Sequence, residues 1–324
     1  MRKRVLVTGG AGFIGSHLCE ELLKKNYSVT ALDNLFTGSL ENLKFAQKNK
    51  YFKFINGDVR NKDLVSKLTK QNDIIYHLAA IVGVKVVVEN PLENISVNVD
   101  GTMNVAECAF KNGKKKIIYT SSSEVYGKNT QVPLKEDESL SIFGSTKVNR
   151  WAYGLAKALG EHILFAYGEK GLPFTVVRYF NCYGPRGINK KYANVIPGFI
   201  KETLLGRDLI VHGKGAATRS FCFVTDTVRG TILAGQKVNN DIVNIGGNKE
   251  VTILDLAKRI KKLTKSTSKI VFLNENKVYQ KRFESSDRRV PDIKRAKKFL
   301  GFNQEISLDE GLKKTINWTK EYLK

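Results

Sequence analysis

The sequence predicts an α/β fold, with a doubly wound parallel sheet in residues 1–180 and a smaller C-terminal α/β lobe in residues 181–324, from which some segments return to the first domain. Three observations favour it. Short apolar runs alternate with amphipathic helical segments, a glycine-rich turn follows the first run, and acidic or serine residues stand at the ends of several others. Strands and helices that alternate in this way form Rossmann-type sheets, which bind ligands at the carboxyl ends of the strands.

The bulk composition is that of an ordinary globular chain. It has 324 residues, 42% of them hydrophobic, which suffices for one large domain or two lobes. The charged N-terminal residues lead directly into an apolar strand and glycines, without the apolar segment of a secretory signal. No apolar run approaches the roughly 18 residues of a membrane-spanning helix. We therefore expect a cytoplasmic protein with no membrane partner.

The chain is strongly basic, with a net charge of +23. Its lysines are spread over predicted helices, and the one compact run, Lys114–Lys116, lies between a helix and a strand. No zinc-finger spacing or aromatic RNA-binding pattern accompanies them, so we expect solvated lysine-rich faces and no nucleic-acid partner. The four cysteines are scattered, without paired spacing or a histidine cluster, which predicts reduced thiols and no metal site.

A glycine-rich turn follows the first predicted strand. Residues 4–8 form this strand, a helix covers 16–25, and a second strand over 27–33 ends in an acid. Side chains at the glycine positions between strand and helix would keep a pyrophosphate from the helix N-terminus, where free N–H groups and the dipole favour anions. This order predicts a dinucleotide site that includes Gly9, Gly12, Phe13, Ile14 and Gly15.

The end of the second strand favours one nicotinamide cofactor over the other. Asp33 is placed to hold the hydroxyl groups of an adenosine ribose, which favours NAD over NADP. Asn34 follows it, where a basic residue would be needed to pair with a 2′-phosphate. The third strand ends near Asp58, a candidate partner for the adenine amine. The fourth strand, over 73–80, ends beside the cofactor, and we expect its His77 to be a core residue with satisfied hydrogen bonds.

Candidate catalytic side chains follow the fifth predicted strand, over 116–120. Its end carries a run of serines, and a helix over 149–165 brings Tyr153 and Lys157 onto one face, one turn apart. A lysine ammonium beside a tyrosine favours tyrosinate and lowers the phenol pKa toward neutrality. A tyrosinate with a serine hydroxyl in reach can take a proton from a sugar alcohol as hydride leaves its carbon.

Together these residues resemble the extended short-chain dehydrogenase/reductase superfamily, in its branch of nucleotide-sugar epimerases, dehydratases and decarboxylases. The resemblance covers essentially the whole chain. Its matching segments are Thr8–Gly15, Asp33–Asn34, Gly57–Val59, His77–Ala80, Asn98–Thr102, Thr120–Gly127, Tyr153 with Lys157, Arg178–Arg186, Thr218–Phe221 and Arg288–Asp292. By this resemblance NAD is the cofactor, and its site includes Val59, Leu78, Ala79, Ala80 and Asn98.

The resemblance implies that NAD oxidises C4 of a UDP-sugar to a ketone and is restored within one turnover. Tyr153 is then the base, Lys157 holds the nicotinamide ribose and tunes Tyr153, and Ser122 shares the hydrogen bond to the C4 oxygen. A homodimer through the helix that carries Tyr153 is also implied. The positions that hold the diphosphate or the adjacent sugar correspond to Asn181, Arg219 and Arg288.

The residues after Ser122 bear on the fate of the 4-keto intermediate. It can be reduced from the other face, lose the C5 carboxylate, or lose water. Ser123 stands where typical dTDP-glucose dehydratases carry an aspartic acid, which disfavours dehydration. The pair Ser123-Glu124 resembles UDP-glucuronate decarboxylases and also GDP-mannose dehydratases, but the latter usually prefer NADP, which Asp33-Asn34 disfavours. Ser123 is therefore a candidate substrate contact, and Glu124 is either a catalytic acid or a loop cap.

One departure from the decarboxylase pattern keeps the product open. Those enzymes usually have a tyrosine in the loop after the fourth strand, whereas the loop 81–89 has none. Lys85 either pairs with a substrate carboxylate there or faces solvent. We expect an NAD-dependent UDP-sugar 4-epimerase, with UDP-glucuronate decarboxylation as a nearly equal alternative. A sugar 4,6-dehydratase and a non-catalytic NAD-binding protein rank below both.

Overall fold

The structure, a computed structural model, describes residues 2–188, 194–273 and 288–324, without the side chains of Val84, Lys85 and His212. Its strands are β1 (Arg4–Thr8), β2 (Ser28–Asp33), β3 (Phe52–Asn56), β4 (Ile74–His77), β5 (Lys116–Ser122), β6 (Phe174–Tyr179), β7 (Cys182–Tyr183), β8 (Leu209–His212), β9 (Thr218–Ser220), β10 (Cys222–Phe223), β11 (Asp241–Ile245), β12 (Glu250–Thr252), β13 (Ile270–Leu273) and β14 (Arg288–Arg289). Seven of them form one parallel sheet in the order β11-β6-β5-β4-β1-β2-β3. The predicted doubly wound fold is confirmed.

The helices that connect these strands are α1 (Phe13–Lys24), α2 (Lys62–Gln71), α3 (Val84–Glu89), α4 (Pro91–Lys111), α5 (Trp151–Glu169), α6 (Val195–Leu204), α7 (Val224–Lys237), α8 (Ile253–Thr264), α9 (Lys294–Leu300) and α10 (Leu308–Tyr322). None of the helices in the described ranges is long and apolar enough to cross a membrane. A short 3₁₀ helix, Ser123–Tyr126, follows β5 directly and carries the residues after Ser122.

The sheet is covered on both faces because its strands are apolar on both sides. Along β1, Val5 and Val7 pack into the core on one face and Leu6 into the core on the other, and all three are fully buried. Helices α1 and α7 supply the first core, and α2, α4 and α5 supply the second. Burial of each such side chain contributes roughly 1.5–3 kcal/mol, so both helical layers hold the sheet.

The smaller lobe is built from short strands and the last helices. A three-stranded sheet has the order β12-β9-β14, and a parallel pair joins β13 to β8. Helices α6 and α8 pack against each other and contact β8, and α10 packs on α6 and α8. Within β14, Arg288 is paired with Thr218 of β9 and Arg289 with Arg219. This register decides which of the two β14 arginines reaches the interior.

Two further elements were predicted with different success. The predicted return of C-terminal segments to the first domain is seen in β11, which pairs in parallel with β6. The predicted loop 81–89 instead contains α3, because Val86 and Val87 are buried and tertiary packing overrides the weak helix propensity of a valine run. The division at residues 180 and 181 stays a prediction.

Candidate active site

A cavity of about 470 Å³ lies at the carboxyl ends of the central strands, between the sheet and the smaller lobe. The sheet order reverses beside it, between β1 and β4, which is where doubly wound sheets bind ligands. Most of the site residues expected from the sequence line this one cavity: Gly9, Gly12, Phe13, Ile14, Gly15, Asp33, Asn34, Val59, Leu78, Ala79, Ala80, Ser122, Ser123, Glu124, Tyr153, Lys157, Asn181 and Arg219.

The glycine turn at one end of the cavity has the shape that a pyrophosphate needs. Gly9 has φ of +70°, and a Cβ there would lie 2.7 Å from the Ala79 nitrogen. A Cβ on Gly15 would overlap the Gly9 carbonyl. Gly12 is different, because the nearest protein atom to its Cβ would be the Gly9 oxygen at 3.2 Å, and the position faces the cavity. An added side chain at Gly12 would therefore fill ligand space.

Helix α1 begins at this turn. Its N-cap is Gly12, which has no side chain to accept the first backbone N–H groups of the helix. Those groups and the helix dipole are therefore available to an anion in the cavity. The glycine turn and the open helix N-terminus fit the diphosphate of a dinucleotide.

Asp33 ends β2 at the edge of the same turn. One carboxylate oxygen accepts the Ala11 N–H at 2.9 Å and the other accepts the Leu35 N–H at 2.8 Å. Burial raises the pKa of Asp33, against the opposing effect of these backbone donors. Each oxygen keeps a second lone pair, which suits the hydroxyl groups of a ribose. Asn34 lines the cavity beside it.

Asp58 lies next to the dinucleotide end but is not among the cavity-lining residues. It accepts a hydrogen bond from Asn34 Nδ2 at 2.8 Å and pairs with Arg60 at 2.8 Å. Hydrogen bonds from Arg60 lower the pKa of Asp58 to about 2. The carboxylate thus holds Asn34, and its contact with adenine stays a prediction.

Behind the cavity, His77 is buried between two threonine hydroxyls. Its ring nitrogens lie 2.7 Å from Thr8 Oγ1 and 3.0 Å from Thr102 Oγ1. Burial, with a smaller contribution from Lys157, lowers its pKa to about 3, so the ring is neutral. This confirms the expectation of a satisfied core histidine. Asn98 is also fully buried behind the cavity wall, where its Nδ2 donates to the Ile81 carbonyl at 3.2 Å.

The catalytic end of the cavity is formed by β5 and α5. Ser122 ends β5, and its Oγ accepts the Glu124 N–H at 3.2 Å. Tyr153 and Lys157 line the cavity from the first turns of α5. Lys157 Nζ donates to the Thr120 carbonyl at 2.8 Å. Burial lowers the pKa of Lys157 to about 7, although Glu161 acts in the opposite direction. The three candidate catalytic residues therefore share one wall.

Glu124 lies between two buried guanidinium groups. Arg150 Nη1 donates to one of its carboxylate oxygens at 2.8 Å, and Arg289 Nη1 donates to the other. Burial alone would raise the pKa of Glu124, but Arg289 and Arg150 outweigh it and lower the pKa to about 2. Glu124 is thus an ionised carboxylate in this arrangement, and Arg289 Nη2 is buried with no hydrogen-bond partner among the described residues.

The predicted substrate contacts are distributed unevenly. Asn181 lines the cavity and its Nδ2 donates to the Ser220 carbonyl at 2.9 Å, and Arg219 lines the cavity from β9. Arg288, in contrast, points away from the cavity, with its side chain 52% exposed and paired with Glu250 at 2.7 Å. The arginine that enters from β14 is its neighbour Arg289, whose side chain is 5% exposed. Lys85 lies in α3, and its side chain is outside the described residues.

Two arginines of the cavity were absent from the sequence prediction. Arg289 belongs to the quoted Arg-Arg-x-Pro-Asp segment, but its choice over Arg288 depends on the pairing of β14 with β9, which the sequence did not predict. Arg150 stands three residues before Tyr153, about one turn away, and this spacing was the available signal. The described residues contain no group of three or more histidine, cysteine or acidic side chains that could hold a metal ion.

A family model described as the NAD dependent epimerase/dehydratase family matches residues 5–246. The chain belongs to this family. It is similar to UDP-N-acetyl-alpha-D-glucosaminuronate decarboxylase of Bacillus cytotoxicus, with 45% identity over 99% of both chains. It is also similar to a putative UDP-glucose 4-epimerase of Methanocaldococcus jannaschii, with 38% identity over 98% of both.

Solved structures of this NAD-dependent family have the same fold. UDP-glucose 4-epimerase of Thermotoga maritima, solved with UDP-glucose, has a TM-score of 0.89 and 31% identity over 99% of this chain and 100% of that chain. UDP-glucuronic acid 4-epimerase of Bacillus cereus, in complex with UDP-glucuronic acid and NAD, has a TM-score of 0.86 and 31% identity over 98% of this chain and 99% of that one. The predicted family, NAD dependence and class of UDP-sugar epimerases and decarboxylases are confirmed.

Proposed function

We propose that the protein decarboxylates a UDP-hexuronate through a transient 4-keto sugar, with UDP-N-acetylglucosaminuronate as the first substrate to test. The observation that carries this proposal is the Arg150–Glu124–Arg289 cluster beside Ser122 and Ser123. The three side chains of this cluster line the cavity, where a guanidinium group can pair with a substrate carboxylate. The 45% identity to a decarboxylase over nearly the whole chain supports the same assignment.

The first step is oxidation at C4. NAD held by the glycine turn and Asp33 would supply the acceptor for the C4 hydride and the hydride donor at the end of the turnover. Tyr153, as tyrosinate, takes the proton of the C4 hydroxyl, and Ser122 Oγ donates a hydrogen bond to the same oxygen. The ammonium of Lys157 stabilises the negative charge on Tyr153 and lies within the same wall of the cavity.

The C4 ketone then makes loss of CO₂ possible. The C5–C6 bond breaks, its electron pair moves into a C4–C5 enolate, and the carboxylate leaves as CO₂. Hydrogen bonds from Tyr153 and Ser122 to the C4 oxygen stabilise the enolate charge. Water would then supply a proton to C5, and transfer of the hydride back to C4 with return of the Tyr153 proton to the C4 oxygen would give the pentose product. Arg289 orients the carboxylate before this step, and Glu124 fixes Arg289.

A 4-epimerase on a UDP-sugar is the second candidate. The observation in its favour is the segment 81–89, which contains no tyrosine and presents Val82 and Val87 to the cavity. An apolar wall would let the 4-keto sugar rotate within the cavity, because few hydrogen bonds would have to break. The similarity to the putative UDP-glucose 4-epimerase supports this alternative.

Mass spectrometry of the reaction products separates the two candidates. Purified protein with NAD should be incubated separately with UDP-N-acetylglucosaminuronate, UDP-glucuronate, UDP-glucose and UDP-N-acetylglucosamine. We expect loss of the mass of one CO₂ from at least one uronate and no change in the neutral sugars. A new chromatographic peak of unchanged mass would instead establish epimerisation. No product from any of the four would contradict both candidates.

The base is tested by Tyr153→Phe. We expect kcat to fall about 10²- to 10⁴-fold while NAD stays bound, because the variant lacks the proton acceptor. Tyr167→Phe is the matched control, since Tyr167 lies on the same helix but packs against Phe110 with ring centroids 5.5 Å apart. Substantial activity in the Tyr153 variant would overturn the assigned base.

We propose further that two copies associate through α4 and α5 in the cytoplasm. Exposed apolar side chains recur at helical spacing on the outer faces of these two packed helices: Leu92, Ile95, Met103, Leu155 and Leu159. All four cysteines are free thiols, which suits a reducing compartment. Light scattering should give a dimer mass, and Leu159→Glu should give a monomer. A monomeric parent chain would contradict this proposal.

A further inference from the structure

Helix α5 carries another buried polar residue, Glu161, one turn beyond Lys157. Glu161 is 6% exposed and does not line the cavity. Its Oε1 accepts hydrogen bonds from Ser121 Oγ at 2.5 Å and from Arg178 Nε at 2.9 Å, and its Oε2 accepts from Arg178 Nη2 at 2.7 Å. The acid is thus buried with both oxygens engaged, and the mechanism described above does not use it.

These contacts join α5 to β5 at two consecutive residues. Lys157 Nζ donates to the Thr120 carbonyl, and Ser121 Oγ donates to Glu161. The next residue of the strand is Ser122. Hydrogen bonds at two successive strand residues fix the axial position and the rotation of α5 relative to the end of β5. They therefore define the position of the Ser122 side chain relative to Tyr153.

Arg178 holds Glu161 from the neighbouring strand β6, where it is the register partner of Ser121. Arg178 is itself anchored elsewhere: Nη1 donates to Tyr126 Oη at 2.8 Å and to the Glu136 carbonyl at 3.1 Å. Tyr126 Oη in turn donates to Asn244 Oδ1 at 2.9 Å. The position of Arg178 therefore does not depend on Glu161 alone, and the acid binds to a fixed partner.

We propose that Glu161 is a positioning residue for the C4 oxidation, which holds α5 against β5 so that Ser122 and Tyr153 stay aligned. The inference rests on the proposed function, since it assigns Glu161 to the same Ser–Tyr–Lys group. Glu161 touches neither substrate nor cofactor. It acts through the Ser121 hydroxyl and through its negative charge, one helical turn from the lysine.

The surroundings of Lys157 explain why this charge matters. The ring of Tyr119 on β5 lies 4.7 Å from Nζ, and the neutral His77 faces it from β4. On α5 itself the neighbouring titratable groups are Tyr153 and Glu161, and Arg178 on β6 is paired with Glu161. Burial favours the neutral amine, and among the described residues Glu161 opposes it by raising the pKa of Lys157.

The test compares Glu161→Gln with the parent enzyme. Glutamine keeps the size and an acceptor for Ser121 but removes the charge. We expect kcat to fall roughly 10-fold or more with little change in KM, and the high-pH limb of the kcat profile to move to lower pH, because Lys157 loses its proton earlier. Glu161→Asp, which keeps the charge, should restore the high-pH limb. Glu107→Gln is the control, since Glu107 is a partly buried, ion-paired acid on α4 that lies outside the cavity.

A substrate-independent readout keeps the inference testable if the sugar is misassigned. The protonation midpoint of the Lys157 amine can be followed by ¹⁵N NMR in protein loaded with NAD alone. A lower midpoint in Glu161→Gln supports the inference, and an unchanged midpoint with an unchanged kcat profile overturns it. Activity on another sugar would revise the proposed function without affecting this result.

Glu161→Gln leaves Arg178 buried without its counter-ion, so this variant can fold poorly. A second variant tests the inference in that case. Ser121→Ala removes only the hydroxyl that donates to Glu161. We expect a several-fold fall in kcat with no shift of the high-pH limb, because the charge pair remains. A kcat equal to that of the parent in Ser121→Ala would exclude the alignment role. If Glu161 had a purely structural role, its substitution would lower the yield of folded protein and leave the kcat profile unchanged.

Discussion

At the scale of single residues, the environment of Glu124 decides its chemistry. A carboxylate between two guanidinium groups stays ionised far below the ordinary range, so it cannot deliver a proton at neutral pH unless substrate binding separates it from an arginine. The sequence left two roles open for Glu124, as a catalytic acid or as a loop cap. The contacts favour a third, in which it holds Arg150 and Arg289 in place at the wall of the cavity.

The first prediction concerns the stability of this cluster. The pKa of Glu124 is depressed from 4.5 to about 2, so its contribution to stability is complete above pH 4.5 and is lost as the pH falls toward 2. Glu124→Gln should lower the free energy of unfolding at pH 7 by about 3 kcal/mol, because two buried cations lose their partner. The difference from the parent should shrink between those pH values, as measured by chemical denaturation at several pH values.

The matched control is Glu250→Gln. Glu250 pairs with Arg288 at the surface, where ion pairs contribute roughly 0–1 kcal/mol. Its substitution should change stability little and show no comparable acid dependence. Equal effects of the two substitutions would contradict the assignment of Glu124 to a buried cluster.

At the scale of elements, two glycines of the turn between β1 and α1 serve different purposes. Gly15 provides room for the Gly9 carbonyl inside the protein, whereas Gly12 provides room for a ligand in the cavity. The same motif therefore contains one position required for folding and another required for binding. Substitutions at the two positions should have different results.

The second prediction follows from this difference. Gly12→Ala should fold with a near-parent melting temperature but bind NAD about tenfold more weakly, a loss of ~1.4 kcal/mol, because its methyl group occupies the diphosphate space. Gly15→Ala should lower the melting temperature as well, since its methyl group overlaps backbone. Calorimetry and thermal unfolding measure the two effects. Equal losses of stability would show that both glycines serve packing alone.

The elements also show what the sequence could predict. Apolar periodicity and the glycine spacing were sufficient to predict the central strands, α1 and α5, and the glycine turn with Asp33, because these depend on local pattern. Most of the other residues predicted for the dinucleotide end came from the family resemblance. Helix α3 was missed because its valine run favours a strand, and only the burial of Val86 and Val87 explains it. Arg289 was missed in favour of Arg288 because the choice depends on strand register over a sequence distance of some seventy residues.

At the scale of the whole molecule, the second half of the chain contributes a strand to the central sheet. Strand β11 comes from the second half, yet it pairs with β6 along five residues from Asp241 to Ile245. Without it, β6 would keep β5 as its one neighbour and become the edge strand of the sheet. Exposed apolar edges of this kind promote aggregation.

The third prediction tests that dependence. A chain truncated after residue 180 should be insoluble or aggregated, because β6 loses its partner β11. If residues 1–180 were an independent unit, the same truncated chain would stay soluble. Solubility, size-exclusion chromatography and the cooperativity of thermal unfolding provide the measurement. A soluble monomer of residues 1–180 that unfolds cooperatively and binds NAD would show that the predicted division marks a true domain boundary.

The register of β9 and β14 has a consequence for the kinetics of substrate capture. Arg219 and Arg289 stand opposite each other on neighbouring strands and both face the cavity, so this surface attracts anions before any contact is made. Long-range attraction raises association rates and is screened by salt. The second-order rate constant for substrate binding should therefore fall as ionic strength rises, while the rate of the chemical step inside the cavity stays nearly constant.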